Sequence, residues 1–168
     1  VTIGSLDIGH GAGTGGTADV NSTAVGKDAL DGSLNTSTRN TAIGSGAMTA
    51  TMTAAGDYNV AVGSYAGGGI TAGSHNVAVG DNAFGACDDG VSNVAVGQAA
   101  LAAQCGDNNT AVGKEALTAF TGSSATAVGS GAADAATSAA YLTAVGKNAA
   151  GGLLTGAGNT AIGYQSLM

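Results

Sequence analysis

The sequence predicts an all-β fold, a parallel β-solenoid of about ten coils of 16–19 residues each. Three observations carry that expectation. Alanine (36) and glycine (31) together make 67 of 168 residues, about 40%, so any core must be built from small side chains packed closely. One phrase, close to Asn-Thr-Ala-Val-Gly-x-x-Ala-Leu, returns ten times along the chain. Within each copy, three residues alternate in character before a glycine, which is the period of a short strand and not of a helix.

The same composition excludes other classes. There is no proline and no tryptophan, six residues are aromatic, and 9% are charged where roughly a quarter is usual. Disorder calls for low hydrophobicity and high charge, but 44% of this chain is apolar. Collagen needs glycine at every third position and many prolines. Nine leucines, five isoleucines and two phenylalanines are too few to fill one bulky core of this length.

The copies are Ser22–Leu30, Asn40–Met48, Asn59–Gly67, Asn76–Phe84, Asn93–Leu101, Asn109–Leu117, Ala125–Ala133, Leu142–Ala150 and Asn159–Leu167, after a degenerate first copy at Ser5–Gly13. Their anchor glycines are Gly9, Gly26, Gly44, Gly63, Gly80, Gly97, Gly113, Gly129, Gly146 and Gly163, spaced by 17, 18, 19, 17, 17, 16, 16, 17 and 17 residues. Helical repeats run from about 33 residues and leucine-rich repeats from about 20, so a period near 17 suits one coil of a β-solenoid. The whole chain, 1–168, reads as one repeat domain, with 1–4 as a lead-in and the repeats from 5 onward.

Each coil opens on a three-residue strand. Thr or Val three before the glycine and Val or Ile one before it share a face, and the alanine between them points the other way. The β-branched column Ile8, Val25, Ile43, Val62, Val79, Val96, Val112, Val128, Val145 and Ile162 is expected to fill the coil interior. The alanine column Ala24, Ala42, Ala61, Ala78, Ala95, Ala111, Ala127, Ala144 and Ala161 is expected to form a flat face for a second copy of the chain. Asp7 breaks that column in the first copy. The glycine ends the strand, and two changeable polar residues after it, such as Lys27-Asp28 or Lys114-Glu115, form a solvent-facing turn. A second short run follows, with alanine third after the glycine in nine copies and Ser166 in the last, then often Leu, Met or Phe. Asn40, Asn59, Asn76, Asn93, Asn109 and Asn159 either close a turn or form a ladder from rung to rung. Variable stretches between copies, such as 49–58 and 67–75, are expected as loops on one edge.

Charge narrows the partners. Lys27, Arg39, Lys114 and Lys147 face eleven acidic residues, a net charge of −7, which excludes a nucleic-acid surface built on clustered cations. The longest apolar run, around 99–103, is far short of the roughly 20 residues a membrane span needs, so no direct membrane insertion is expected. The chain opens on Val1 and reads as a piece of a longer protein.

The phrases NVAVG, NTAIG and STAVG, with a small residue three positions on, resemble the head repeats of trimeric autotransporter adhesins of the YadA type. They equally resemble the related repeats of bacteriophage tail fibres, and the opening VTIGSLDIGHGAG is more similar to a phage-fibre lead-in. The resemblance covers Ser5 to Met168. It implies a left-handed parallel β-roll assembled as a parallel homotrimer around the alanine faces. It also implies a structural and adhesive role outside the cell, on a cell surface or a virion fibre. These copies are longer than the family's compact repeat, which implies longer outer loops.

Few residues offer chemistry. Cys87 lies seven after Gly80 and Cys105 eight after Gly97, nearly the same place in consecutive coils. Coils stack about 4.8 Å apart, within the roughly 4.4–6.8 Å Cα separation a disulfide accepts, so a Cys87–Cys105 bridge between neighbouring loops is expected, in keeping with an oxidising extracellular setting. His10 and His75 stand coils apart and share no metal site. Asp88, Asp89 and Asp107 near the cysteine loops are the one set resembling calcium ligands, without a Gly-Asp calcium repeat around them. No catalytic residues, metal or cofactor are expected, and the protein is read as no enzyme. A glycan-processing tailspike would need paired carboxylates in a groove, and none is legible. Tyr65 and Tyr164, in the turns after their glycines, are candidate receptor contacts. The function expected is a trimeric fibre module for surface or host attachment, binding a cell-surface, matrix or glycan receptor. The alternative is an ice-binding β-solenoid, for which Thr23, Thr41, Thr110, Thr126, Thr143 and Thr160 form a column that Val60, Val77 and Val94 interrupt.

Overall fold

Each strand from Thr23 onward is cut to three residues by the glycine that follows it, and stacking supplies the rest of the order. The computed structural model describes residues 8–9, 21–32, 37–53, 55–152 and 156–168. Its strands are β1 (Ile8–Gly9), β2 (Thr23–Val25), β3 (Thr41–Ile43), β4 (Val60–Val62), β5 (Val77–Val79), β6 (Val94–Val96), β7 (Thr110–Val112), β8 (Thr126–Val128), β9 (Thr143–Val145) and β10 (Thr160–Ile162). From β2 to β10 they pair in chain order, all parallel, with alanine opposite alanine at each step. This is a parallel β-solenoid of about eight turns.

The first copy does not join the stack as a parallel coil. β1 lies antiparallel on β2, with Ile8 opposite Val25 and Gly9 opposite Ala24. Asp7 stands where all other copies have alanine. Asp7 and the side chain of Ile8 lie outside the described residues.

The strands alternate as expected, but in the opposite sense. Ala24, Ala42, Ala61, Ala78, Ala95, Ala111, Ala127, Ala144 and Ala161 are all buried within the chain's own coil. Val25, Val62, Val79, Val96 and Val112 are half-buried, and Ile43, Val128, Val145 and Ile162 are exposed. The expected core column therefore faces outward, and the alanine column leaves no face for another copy. The reason is volume. The wall opposite the strands carries the second alanine run, Ala29, Ala47, Ala66, Ala83, Ala100, Ala116, Ala132 and Ala149, followed by Leu30, Met48, Phe84, Leu101 and Leu117, all buried. A further buried column sits seven or eight residues after the glycine: Met52, Ile70, Cys87, Cys105, Phe120 and Ala136. With large side chains arriving from there, only a methyl group fits on the strand side of so narrow a coil. The stretches read as edge loops thus supply core.

Corners turn sharply because each full coil places residues in the left-handed region five before the glycine, at the glycine, and two and four after it. In the coil of Gly80 these are His75 (φ 60°), Gly80 (130°), Asn82 (53°) and Phe84 (56°). The turns aim backbone groups along the stack, so the short strands are not the only ladder. Gly46 N–H donates to Lys27 O at 2.9 Å, and Leu30 N–H donates to Ala47 O at 3.0 Å; the same pairings recur up the molecule.

Asparagine forms an internal ladder. Asn59 N–H donates to Asn40 Oδ1 (2.8 Å), Asn76 to Asn59 (3.0 Å), Asn93 to Asn76 (2.9 Å), Asn109 to Asn93 (2.8 Å) and Ala125 to Asn109 (3.0 Å), with Ser22 Oγ accepting from Asn40 at the near end (2.9 Å). The amide Nδ2 groups of Asn40, Asn59, Asn76 and Asn109 donate to the carbonyls of Gly56, Gly73, Gly90 and Gly122 on the next rung. These interior amides are therefore satisfied, as buried polar groups must be. At Ala125 the ladder lacks its amide, and the facing position on the next rung is Ala139 instead of glycine.

Candidate functional site

Because alanine takes the interior, the outward side of the sheet carries two parallel columns of β-branched residues. Thr23, Thr41, Val60, Val77, Val94, Thr110, Thr126, Thr143 and Thr160 form one, and the Val/Ile column forms the other. Rungs repeat about every 4.8 Å, so this is an uncharged, regularly ruled surface. Ile43, Val60, Val128 and Val145 are 37–39% exposed. It is the largest feature that the sequence reading placed on the wrong side of the wall.

The cysteines are joined. Cys87 and Cys105 form a disulfide with Cα atoms 5.2 Å apart. Both are buried in the column opposite the strands, so the bridge staples the core of two consecutive coils and not exposed loops. Closing a loop of this length is worth about 3 kcal/mol. A Cys87→Ser/Cys105→Ser double variant is expected to lose about that much in a urea titration, and the native chain to show no titratable thiol after denaturation without reductant.

The acidic group disperses. Gln104 Nε2 donates to a carboxylate oxygen of Asp88, a hydrogen bond that holds the Asp88 carboxyl below its ordinary range, and reaches Asp89 at 3.4 Å. Asp107 instead accepts the Val91 N–H at 2.8 Å. Asp88 therefore favours the fold above the ordinary carboxylate range, an effect lost as pH falls through its lowered value; being only part-buried and open to solvent screening, it moves stability little. Among the described residues no group of three or more His, Cys, Asp or Glu gathers to hold a metal, and no helix is long and apolar enough to cross a membrane. His10 lies outside the described residues.

Tyr65 and Tyr164 are 58% and 69% exposed. Tyr65 lies over Gly46 of the preceding rung, where a Cβ would stand 2.7 Å from its Cε1, so the ring covers backbone on one side and meets solvent on the other. Counting from the glycines would have found a second aromatic feature. Arg39, Tyr58 and His75 each stand five before an anchor glycine, and the structure stacks them on consecutive rungs. Tyr58 and His75 have ring centroids 4.9 Å apart and nearly parallel planes, and the Arg39 guanidinium lies 5.2 Å from the Tyr58 centroid. No protein-family model, curated protein or solved structure matches the chain.

Proposed function

We propose that the chain is a structural and adhesive fibre module, a parallel homotrimer of left-handed β-rolls that displays its corners and loops for attachment at a cell surface or on a virion. The observation that carries this reading is the outward β-branched face. Parallel sheets are almost always covered on both sides, and here one side is covered by the chain's own core while the other is ruled with Val, Ile and Thr over nine rungs. A second copy in the same register offers the matching surface. Three-fold assembly, the hand of the coil and the attachment role come from the resemblance of the repeats to adhesin heads and phage tail fibres. The buried disulfide fits an oxidising setting outside the cell. Light scattering after gel filtration under non-reducing conditions is the test. Three times 15.6 kDa, or 46.8 kDa, is expected.

Ice binding is the second reading, favoured by the regular spacing of the same face. Its threonine column is interrupted on β4, β5 and β6 by Val60, Val77 and Val94. A stable monomer with clear thermal hysteresis at micromolar concentration would overturn the order of the two.

A further inference from the structure

Five residues before its anchor glycine, every described coil turns through the left-handed region. Asn21, Ser92, Asn108, Ser124 and Gly158 fill that position with small or turn-forming side chains. Four coils carry bulky planar groups there: Arg39 (φ 61°), Tyr58 (60°) and His75 (60°) on consecutive rungs, and Tyr141 (58°) on a rung by itself. A non-glycine residue in this region costs roughly 1–2 kcal/mol. All four are exposed, so that cost is not recovered by core burial, and only the first three stand where they can stack.

The backbone fixes their alignment. Tyr58 N–H donates to Thr38 O, and His75 N–H donates to Asp57 O, tying each corner to the one before it. The side chains leave equivalent points one rung apart and stack, giving a rigid strip whose steps of 5.2 and 4.9 Å place guanidinium and imidazole roughly 10 Å apart. The stack ends at the next rung, where Ser92 is too short to cover the imidazole. Charge bears on the same strip. Lys27 and Lys114 each lie 3.4 Å from the carboxylate of the following residue. Arg39, the one arginine of the chain, and Lys147 form no ion pair among the described residues, and of these two only Arg39 stands beside an aromatic ring; its Nη1 donates to Thr38 Oγ1 at 3.0 Å. Most of its donor fork is open, on a chain whose net charge is −7.

We propose that Arg39, Tyr58 and His75 form a binding strip for an anionic saccharide. The Arg39 fork takes the carboxylate or sulfate as a paired, charge-assisted contact. The tyrosine hydroxyl and the imidazole edge, further along the strip, hydrogen-bond the hydroxyls of the sugars that follow, a span of about two rings. The strip names the receptor chemistry for the attachment role proposed above and rests on that reading.

The test is a titration of the intact chain with 3′-sialyllactose, 3′-sulfolactose and lactose, followed by NMR or calorimetry. Binding with a Kd near 1 mM or tighter is expected for at least one anionic sugar, with lactose at least tenfold weaker. Which anionic sugar binds tighter tells carboxylate from sulfate. Arg39→Ala and Arg39→Lys are each expected to weaken binding at least fivefold, and Tyr58→Ala likewise, with the thermal midpoint of Arg39→Lys unchanged. No saturable binding by either anionic sugar overturns the proposal, as does equal affinity in the native chain and Arg39→Ala. The mass measurement is independent: a trimer that binds no sugar sinks the strip alone, and a monomer that binds sinks the fibre reading alone.

Discussion

Replacing Gly97 with alanine is expected to destabilise the chain by roughly 2–6 kcal/mol, adding the cost of an overpacked contact to that of a strained backbone. A Cβ on Gly97 would stand 2.5 Å from both the carbonyl carbon and oxygen of Gly113 on the next rung, and 2.9 Å from Lys114 N. Those are backbone atoms of a neighbouring coil, so nothing flexible can swing aside. The φ of 132° at Gly97 is itself one that a side chain resists. In a solenoid each coil is held by its neighbours, so a forced gap between β6 and β7 divides one stack into two weaker ones. The control is Gly158→Asn: a Cβ there meets nothing within 4 Å, and Asn21 and Asn108 occupy the same position in other coils. It is expected within about 0.5 kcal/mol of the native chain. Urea titration followed by circular dichroism checks both, and equal midpoints would mean that the rungs do not approach through their glycines.

That contact explains why the architecture was legible in sequence while its inside and outside were not. A glycine every 16 to 19 residues is required wherever rungs touch backbone to backbone, so period, strand positions and register could all be read from Gly26 to Gly163. Alternation says only that Val79 and Ala78 lie on opposite sides. Hydrophobicity favours valine for the interior, but the decision belongs to the far wall. There Phe84, Leu101, Leu117 and Phe120 leave room for a methyl group, and some of that wall comes from segments whose glycine and serine content reads as loop. Two signals were available. An apolar residue recurs seven or eight after the glycine at Met52, Ile70, Cys87, Cys105 and Phe120. Gly-x-x-Asn recurs at Gly56, Gly73, Gly90 and Gly106, and the asparagine amides of the preceding rungs reach across to the carbonyls of Gly56, Gly73 and Gly90. The Arg39, Tyr58 and His75 strip was hidden for another reason: no one copy shows it, and it exists only once the coils are stacked.

Val79→Glu is expected to turn the proposed trimer into folded monomers, and Ala78→Glu is expected to abolish the fold. Val79 lies on the central strand β5 and is only half-buried in the single chain, so a carboxylate there reaches water and costs no more than about 1 kcal/mol of strand preference. In a parallel trimer packed through this face, three such carboxylates are brought together and stripped of water, and each uncompensated charge costs several kcal/mol. The monomer's mass of 15.6 kDa, with an unaltered circular dichroism spectrum, is the expected result. Ala78, one residue away, is fully buried against the opposite wall of its own coil, and a carboxylate there has neither space nor partner. If the alanines instead formed the subunit interface, the two outcomes would exchange: Ala78→Glu would give a folded monomer and Val79→Glu would collapse the coil. A Val79→Glu chain that still elutes at three times the monomer mass would show that the copies meet elsewhere, leaving the ruled face open to solvent and to the ice-binding reading.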